Sequence, residues 1–250
     1  MNFFNVTKLG RTLLLLTAVT VGVTWWAGCG DNNPAGNGGV PVVDPNTVEK
    51  GTFTDGRDGK EYKTVTIGTQ TWMAENLNHE TENSWCYDDA DSNCVKYGRL
   101  YMWNSAMMAC PNGWRLPDTT DWYRLMKAVG GRDSLLTRVY NPENGSVIRS
   151  FYVWAGAGYK LKSKDGWDGA DDYGFSALPG GGAGSTGIFH SIGRSGFWWT
   201  ASEKNYSDYI GGYYSANRIG MESGYNLATG RGYETDKDQR FSVRCIQNAR

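Results

Sequence analysis

The chemistry open to this chain is set by a small stock of reactive side chains. Four carboxylates, Asp165, Asp168, Asp171 and Asp172, fall within eight residues of a glycine-rich segment. A hard cation such as Ca2+ takes about six to eight oxygens, so this acidic loop is the expected ion site, with Ca2+ the one cofactor to consider. The loop departs from the EF-hand order, since no Glu closes it where that template needs one. The competing reading is a solvated turn held by Asx hydrogen bonds. Trp167 lies in the same loop, and Tyr209, Tyr213 and Tyr214 follow in a tyrosine-rich stretch. Exposed rings stack on sugar faces or anchor a protein partner, which makes Trp167, Tyr209, Tyr213 and Tyr214 the candidate ligand-binding residues. The alternative for each ring is a place in the core of a glycine-rich sheet. The two histidines, His79 and His190, sit in no nucleophile-elbow context. No phosphate-cradling glycine loop or dinucleotide fingerprint occurs. The expectation is therefore a protein that is not an enzyme.

The cysteines carry chemistry of another kind. Lys8 and Arg11 precede an apolar run from Leu13 to Trp26, shorter than the ~20 residues that span a bilayer but suited to a secretory signal. The run ends in Trp26-Ala27-Gly28-Cys29, which resembles the lipobox of bacterial lipoproteins. That resemblance implies a lipid on the Cys29 thiol, residues 1–28 as a signal peptide, and a membrane as partner through the anchor. Gly30 to Asn46 is rich in Gly, Asn, Pro and Asp, a composition that buries no core, so residues 29–50 are expected to form a tether. Cys86, Cys94, Cys110 and Cys245 remain, an even number in an exported chain, which predicts two disulfides. Three pairings are possible. Cys86 and Cys94 flank a turn-prone polar segment, so a local bridge is natural, and that leaves Cys110 with Cys245. The absence of Cys-x-x-Cys and of zinc spacing argues against redox or metal cysteines. The formal charge of −1 offers no basic footprint for nucleic acid.

The elements that must hold these residues begin near Gly51, so residues 51–250 are read as one domain. Glu61–Ile67 and Gln70–Ala74 are expected strands around a Gly68-Thr69 turn. Leu100 to Met108 has helix-forming composition. After Arg115-Leu116-Pro117, Asp118 is a good N-cap with Asp121 near the positive end of the dipole. Trp122, Leu125, Met126 and Val129 then form an apolar stripe of helical period, stopped by Gly130-Gly131. Ser134 to Tyr140 fits helix or strand. Gly156 to Gly184 is a long loop region, and such loops are often functional. Gly196–Ser202, Tyr209–Ile219, Gly220–Ala228 and Phe241–Ile246 read as strands, the last with Phe241, Val243 and Cys245 on one side.

Seven ordered blocks over residues 51–248 resemble the Fibrobacter succinogenes major paralogous domain family. They are Asp55 to Val65, Gly68 to Leu77, Tyr97-Gly98-Arg99-Leu100-Tyr101, Cys110 to Pro117, Gly174 to Pro179, Phe197 to Ser202, and Phe241 to Cys245. The resemblance implies an α+β, C-type-lectin-like fold: twisted antiparallel sheets, a few flanking helices and long Gly-rich loops. It also implies a disulfide tying the C-terminal strand to the body, which Cys110–Cys245 would supply. The calcium-dependent sugar signatures of lectins are missing, and Asn141-Pro142-Glu143-Asn144 is a lookalike without its partner. The family's surface lipoproteins imply a cell-envelope location, at the outer membrane or cell surface. Together these readings point to a surface-anchored, non-enzymatic binding or adhesion module for polysaccharide or an envelope protein. A structural envelope component and an enzyme on a lectin-like scaffold are the alternatives.

Overall fold

The computed structural model describes residues 39–140, 145, 147–205, 214–230 and 234–248. In chain order the elements are β1 (Glu49–Thr54), β2 (Glu61–Ile67), β3 (Gln70–Met73), β4 (Ser84–Trp85), α1 (Asp91–Tyr97), β5 (Leu100–Tyr101), α2 (Trp103–Ala109), β6 (Trp114–Arg115) and α3 (Thr119–Ala128). They continue with β7 (Arg132–Tyr140), β8 (Val147–Ala155), α4 (Ala157–Leu161), β9 (Gly180–Ala183), β10 (Phe189–Ile192), β11 (Ser195–Asn205), β12 (Tyr214–Glu222), β13 (Leu227–Thr229), β14 (Glu234–Asp236), β15 (Phe241–Ser242) and β16 (Ile246–Gln247). Among the described residues the strands form two sheets. The smaller runs β1-β2-β3-β16-β6, and the larger follows β4-β5-β15-β11-β12-β13-β8-β7 with β9, β10 and β14 attached to it. Pairing is antiparallel except where β11 meets β15 and β9. This is an α+β fold of mostly antiparallel sheets with few helices, consistent with a lectin-like arrangement. No helix among the described residues is long and apolar enough to cross a membrane.

Local chemistry explains the clearest helix. The Asp118 carboxylate accepts the N–H groups of Thr120 and Asp121 at 2.7 and 2.9 Å, and Asp121 Oδ2 accepts the Asp118 N–H at 2.9 Å. This reciprocal capping box satisfies donors that a helix start leaves unpaired. The predicted stripe of Trp122, Leu125, Met126 and Val129 is buried throughout. Trp122 lies 4.9 Å from Trp72 and 6.0 Å from Phe175, centroid to centroid, in the main core. A second cluster gathers Tyr101, Trp103, Trp199, Phe241, Val243 and Cys245. Both expected disulfides are present, Cys86–Cys94 and Cys110–Cys245. The second joins the end of α2 to the residue before β16.

Several expectations need correction. Leu100 and Tyr101 are strand, not helix, because they pair with Trp85 and Ser84 on one side and Ser242 and Phe241 on the other; α2 starts only at Trp103. Phe241–Ile246 is not one strand. Phe241 and Ser242 join the large sheet while Ile246 and Gln247 join the small one, so this run stitches the two sheets together. Ser134–Tyr140 resolves as strand, paired with β8. The two expected strands do not divide between Ile219 and Gly220; β12 runs through both to Glu222. Residues 40–50, part of the expected tether, lie along the domain: the Val43 N–H donates to Ala128 O at 2.8 Å, and Tyr173 Oη donates to Val43 O at 3.0 Å. Cys29, and with it the signal peptide and the start of the tether, lies outside the described residues.

Candidate functional site

The large sheet turns one face to the core and the other to a groove of about 590 Å3. Alternation along β12 sorts its side chains: Ile219 and Met221 enter the core, while Arg218, Gly220 and Glu222 line the groove. Gly220 forms part of the floor. Register places Phe197 of β11 opposite it on one side. On the other side Thr229 of β13 accepts the Gly220 N–H at 2.5 Å through Oγ1, and Val153 of β8 pairs with Thr229. A Cβ on Gly220 would approach Arg218 Nη1 to 3.0 Å and Phe197 Cδ1 to 3.1 Å, so the missing side chain is what leaves the floor open.

Charge and aromatic surface sit at defined places around that floor. The Arg218 guanidinium lies over the Phe197 ring, 4.6 Å from its centroid. At the other end, Glu222 Oε1 accepts from Arg194 Nε at 3.0 Å, with Nη2 at 2.8 Å. Tyr225 is 55 % exposed and Leu136 54 %, so both offer apolar surface from the rim. Ser191 closes one end in a left-handed backbone conformation, φ 68°. Its Oγ lies 3.2 Å from His190 Nδ1. Burial, then the nearby Arg218 charge, pulls the His190 imidazole below its usual pKa, which keeps the ring neutral near pH 7. The arrangement suits an extended ligand with apolar faces and polar edges.

The residues singled out by sequence fall elsewhere. The four carboxylates of the acidic loop are not gathered: among the described residues no three of them hold ligand atoms within 4.8 Å of one another. Asp168 bonds Lys162 Nζ at 2.7 Å and the Gly224 N–H at 2.6 Å. Asp171 accepts the Ser176 N–H and hydroxyl, both at 2.7 Å. Asp165 and Asp172 are exposed, apart from these pairs. Trp167 is not an exposed ring; it is buried, and its Nε1 donates to Arg194 O at 3.1 Å. Tyr209 and Tyr213 lie outside the described residues, and Tyr214 is described as the first residue of β12.

Sequence reasoning missed Phe197, Arg218, Gly220, Glu222 and Tyr225 as one site. The alternation of Arg218, Gly220 and Glu222 along a strand was the available signal. His79, which has no nucleophile-elbow context, joins a polar cluster instead. Asp55, Asp58 and His79 offer ligand atoms within 4.8 Å of one another. Cations of the chain already occupy this cluster: Arg57 grips Asp55 through Nε and Nη2 at 2.9 and 2.6 Å, and Lys60 Nζ lies 3.6 Å from Asp58. His79 Nδ1 is 2.9 Å from Asp58, Lys60 Nζ donates to Asn78 O, and the Asn78 N–H donates to Tyr62 Oη at 3.1 Å. The Asp-Gly-Arg-Asp-Gly-Lys loop thus staples the β1–β2 hairpin to residues 78 and 79.

Residues 65–247 match the family model of the Fibrobacter succinogenes major domain. The chain belongs to that family. The match spans the larger sheet, the smaller sheet from the end of β2 onward, both disulfides and every lining residue of the groove. No curated protein and no solved structure matches the chain. Within the Fibrobacter succinogenes major domain of this chain, the Arg57–Asp55 staple lies ahead of the matched residues, while its anchor points, Tyr62 excepted, lie inside them.

Proposed function

We propose that this protein is an extracytoplasmic binding module, lipid-anchored through Cys29 at the cell envelope, whose sheet-face groove takes a polysaccharide or a segment of an envelope protein. The observation that carries the reading is the glycine-floored groove. It is flanked by Phe197 and Tyr225 and ended by Arg218 and by the Arg194–Glu222 pair. Rings beside an open floor suit the apolar face of a sugar, and the charged ends suit its hydroxyls. Two disulfides support an oxidising compartment. Polysaccharide is the favoured ligand because the groove is open and part polar, with aromatic rings beside its floor.

The test is equilibrium binding of the mature protein to a panel of soluble and insoluble glycans and to isolated envelope proteins. Tyr225→Ala should weaken binding about tenfold or more, the range for truncating an aromatic anchor, while leaving the melting temperature within a few degrees. Uniform failure to bind, or binding indifferent to Tyr225→Ala and Arg194→Ala, would overturn the assignment of the groove. Anchoring is tested separately: Cys29→Ser should move the protein from the membrane fraction to the soluble one.

A further inference from the structure

The loop expected to hold a metal ion already encloses a cation, and that cation belongs to the chain. Lys162 follows α4, and its side chain is 0 % exposed. Its ammonium has three oxygens around it: Asp168 Oδ1 at 2.7 Å, Tyr225 O at 3.0 Å and Glu222 O at 3.1 Å. Three donors on an ammonium meet three acceptors, so the buried charge is fully satisfied. The Trp167 ring lies beneath it, 5.4 Å from centroid to Nζ. The second Asp168 oxygen accepts the Gly224 N–H at 2.6 Å. Two further bonds converge on Arg194 O, from Trp167 Nε1 at 3.1 Å and from the Ser223 N–H at 2.8 Å. The loop folds this tightly around the lysine only because residue 169 is glycine; a Cβ there would fall 2.0 Å from Lys162 O.

Apart from the Lys162–Asp168 bond and the Trp167 ring contact, each of these hydrogen bonds ends on residues 222–225 or on Arg194, and Glu222, Tyr225 and Arg194 line the groove. We infer that Lys162 is a built-in cation that does the ordering a bound metal would otherwise do, a positioning residue that fixes one wall of the groove through Asp168 and the carbonyls of Glu222 and Tyr225. The geometry of the clamp stands without any ligand; its consequence for binding rests on the groove being the binding site. The wall is then preformed in the free protein and insensitive to calcium, and the ligand meets it without ordering cost.

Amide hydrogen exchange of the mature protein reads the clamp directly, because the Gly224 N–H is one of its bonds. In Asp168→Asn and in Lys162→Ala, exchange at Gly224 and Tyr225 should rise about tenfold or more, as expected for loss of a charge-assisted hydrogen bond. Ethylammonium chloride should restore slow exchange in Lys162→Ala by filling the vacated channel, whereas sodium chloride at equal ionic strength should not, and neither should rescue Asp168→Asn. Calcium or a chelator should leave the wild type unchanged. Unaltered exchange in Asp168→Asn, or slowing of wild-type exchange by calcium, overturns the inference. If Lys162→Ala does not fold, Asp168→Asn decides alone, since its carboxylate is 44 % exposed and its loss leaves no large cavity. Fast exchange in the variants with no glycan or protein bound by the wild type would retain the clamp and discard the groove as a binding site. Binding that survives Asp168→Asn despite fast exchange would retain the groove and discard the positioning role.

Discussion

Arg244 is fully buried, and its donors go to neutral oxygens: Nε and Nη2 to Asn76 Oδ1 at 3.2 and 2.9 Å, Nη1 to Phe175 O, and Nη2 to Ser176 O. Burial pushes the guanidinium down to about 9, still above neutrality, so it stays charged at pH 7. Asn76 Oδ1 also accepts Trp198 Nε1 at 2.8 Å, which links the C-terminal run, the β3 exit and β11 through one amide. Arg244→Ala leaves the Phe175 and Ser176 carbonyls short of a donor and opens a cavity. The expected loss is about 3–5 kcal/mol, read by urea unfolding; a loss under about 1 kcal/mol would show the network to be dispensable. Asp55 gives a pH-dependent test at the same scale. The Arg57 side-chain hydrogen bond, aided by the Arg57 N–H and charge, holds its carboxyl below the usual carboxylate range. A depressed folded pKa contributes stability that is complete above the unfolded value near 3.8 and fades as pH falls through the folded value. Asp55→Asn should therefore be less stable than wild type at pH 7, and the gap should close below pH 3.8. A gap of constant size across that range would mean the charge on Asp55 contributes nothing. Neither residue was legible in the sequence: Arg244 sits between two apolar residues in an alternating run, where the pattern places a polar side chain in water.

The helix and the strand of the site show why some elements can be read and others cannot. α3 carries its whole instruction locally, in the Asp118 cap and a stripe of period 3.6. Asp118→Ala should cost about 1 kcal/mol, seen as a shift in the urea midpoint with unchanged slope; a changed slope would point instead to a remodelled native state. Leu100-Tyr101 carries no such instruction. Its strand pairing is decided by Ser84, Trp85, Phe241 and Ser242, far away in sequence, so composition misled. β12 differs for another reason: the expected break between Ile219 and Gly220 does not occur, and Gly220 sits mid-strand as a floor with no side chain. Gly220→Val should test this. The nearest obstacles are an arginine tip, a phenylalanine edge and a threonine hydroxyl, two of which can shift, so the domain should still fold. The new side chain occupies the groove floor, and glycan binding should fall about tenfold or more at nearly wild-type melting temperature. Unchanged binding would move the ligand away from β12. The candidate site was thus legible only in part. The acidic loop stands out in the sequence, yet of its carboxylates only Asp168 reaches the groove wall, through Lys162 and the Gly224 N–H, and Lys162 lies outside the Asp-rich stretch.

For the molecule as a whole, the two disulfides act on different amounts of chain. Cys86–Cys94 closes a separation of 8 residues and stays local, whereas Cys110–Cys245 spans 135 and joins α2 to the run that stitches the sheets together. Closing the longer loop removes more freedom from the unfolded chain, so the chain-entropy model assigns about 5 kcal/mol to the long bridge and about 2.5 kcal/mol to the short one. Small domains hold only ~5–15 kcal/mol in total. The double variant Cys110→Ala/Cys245→Ala should therefore be far more fragile than Cys86→Ala/Cys94→Ala, with a melting temperature several degrees lower. Folding in a reducing cytosol should fail in the same order, first at the long bridge. Equal destabilisation by the two pairs would show that the longer loop adds no constraint beyond what Arg244 and the sheet pairings already place on the C-terminal run.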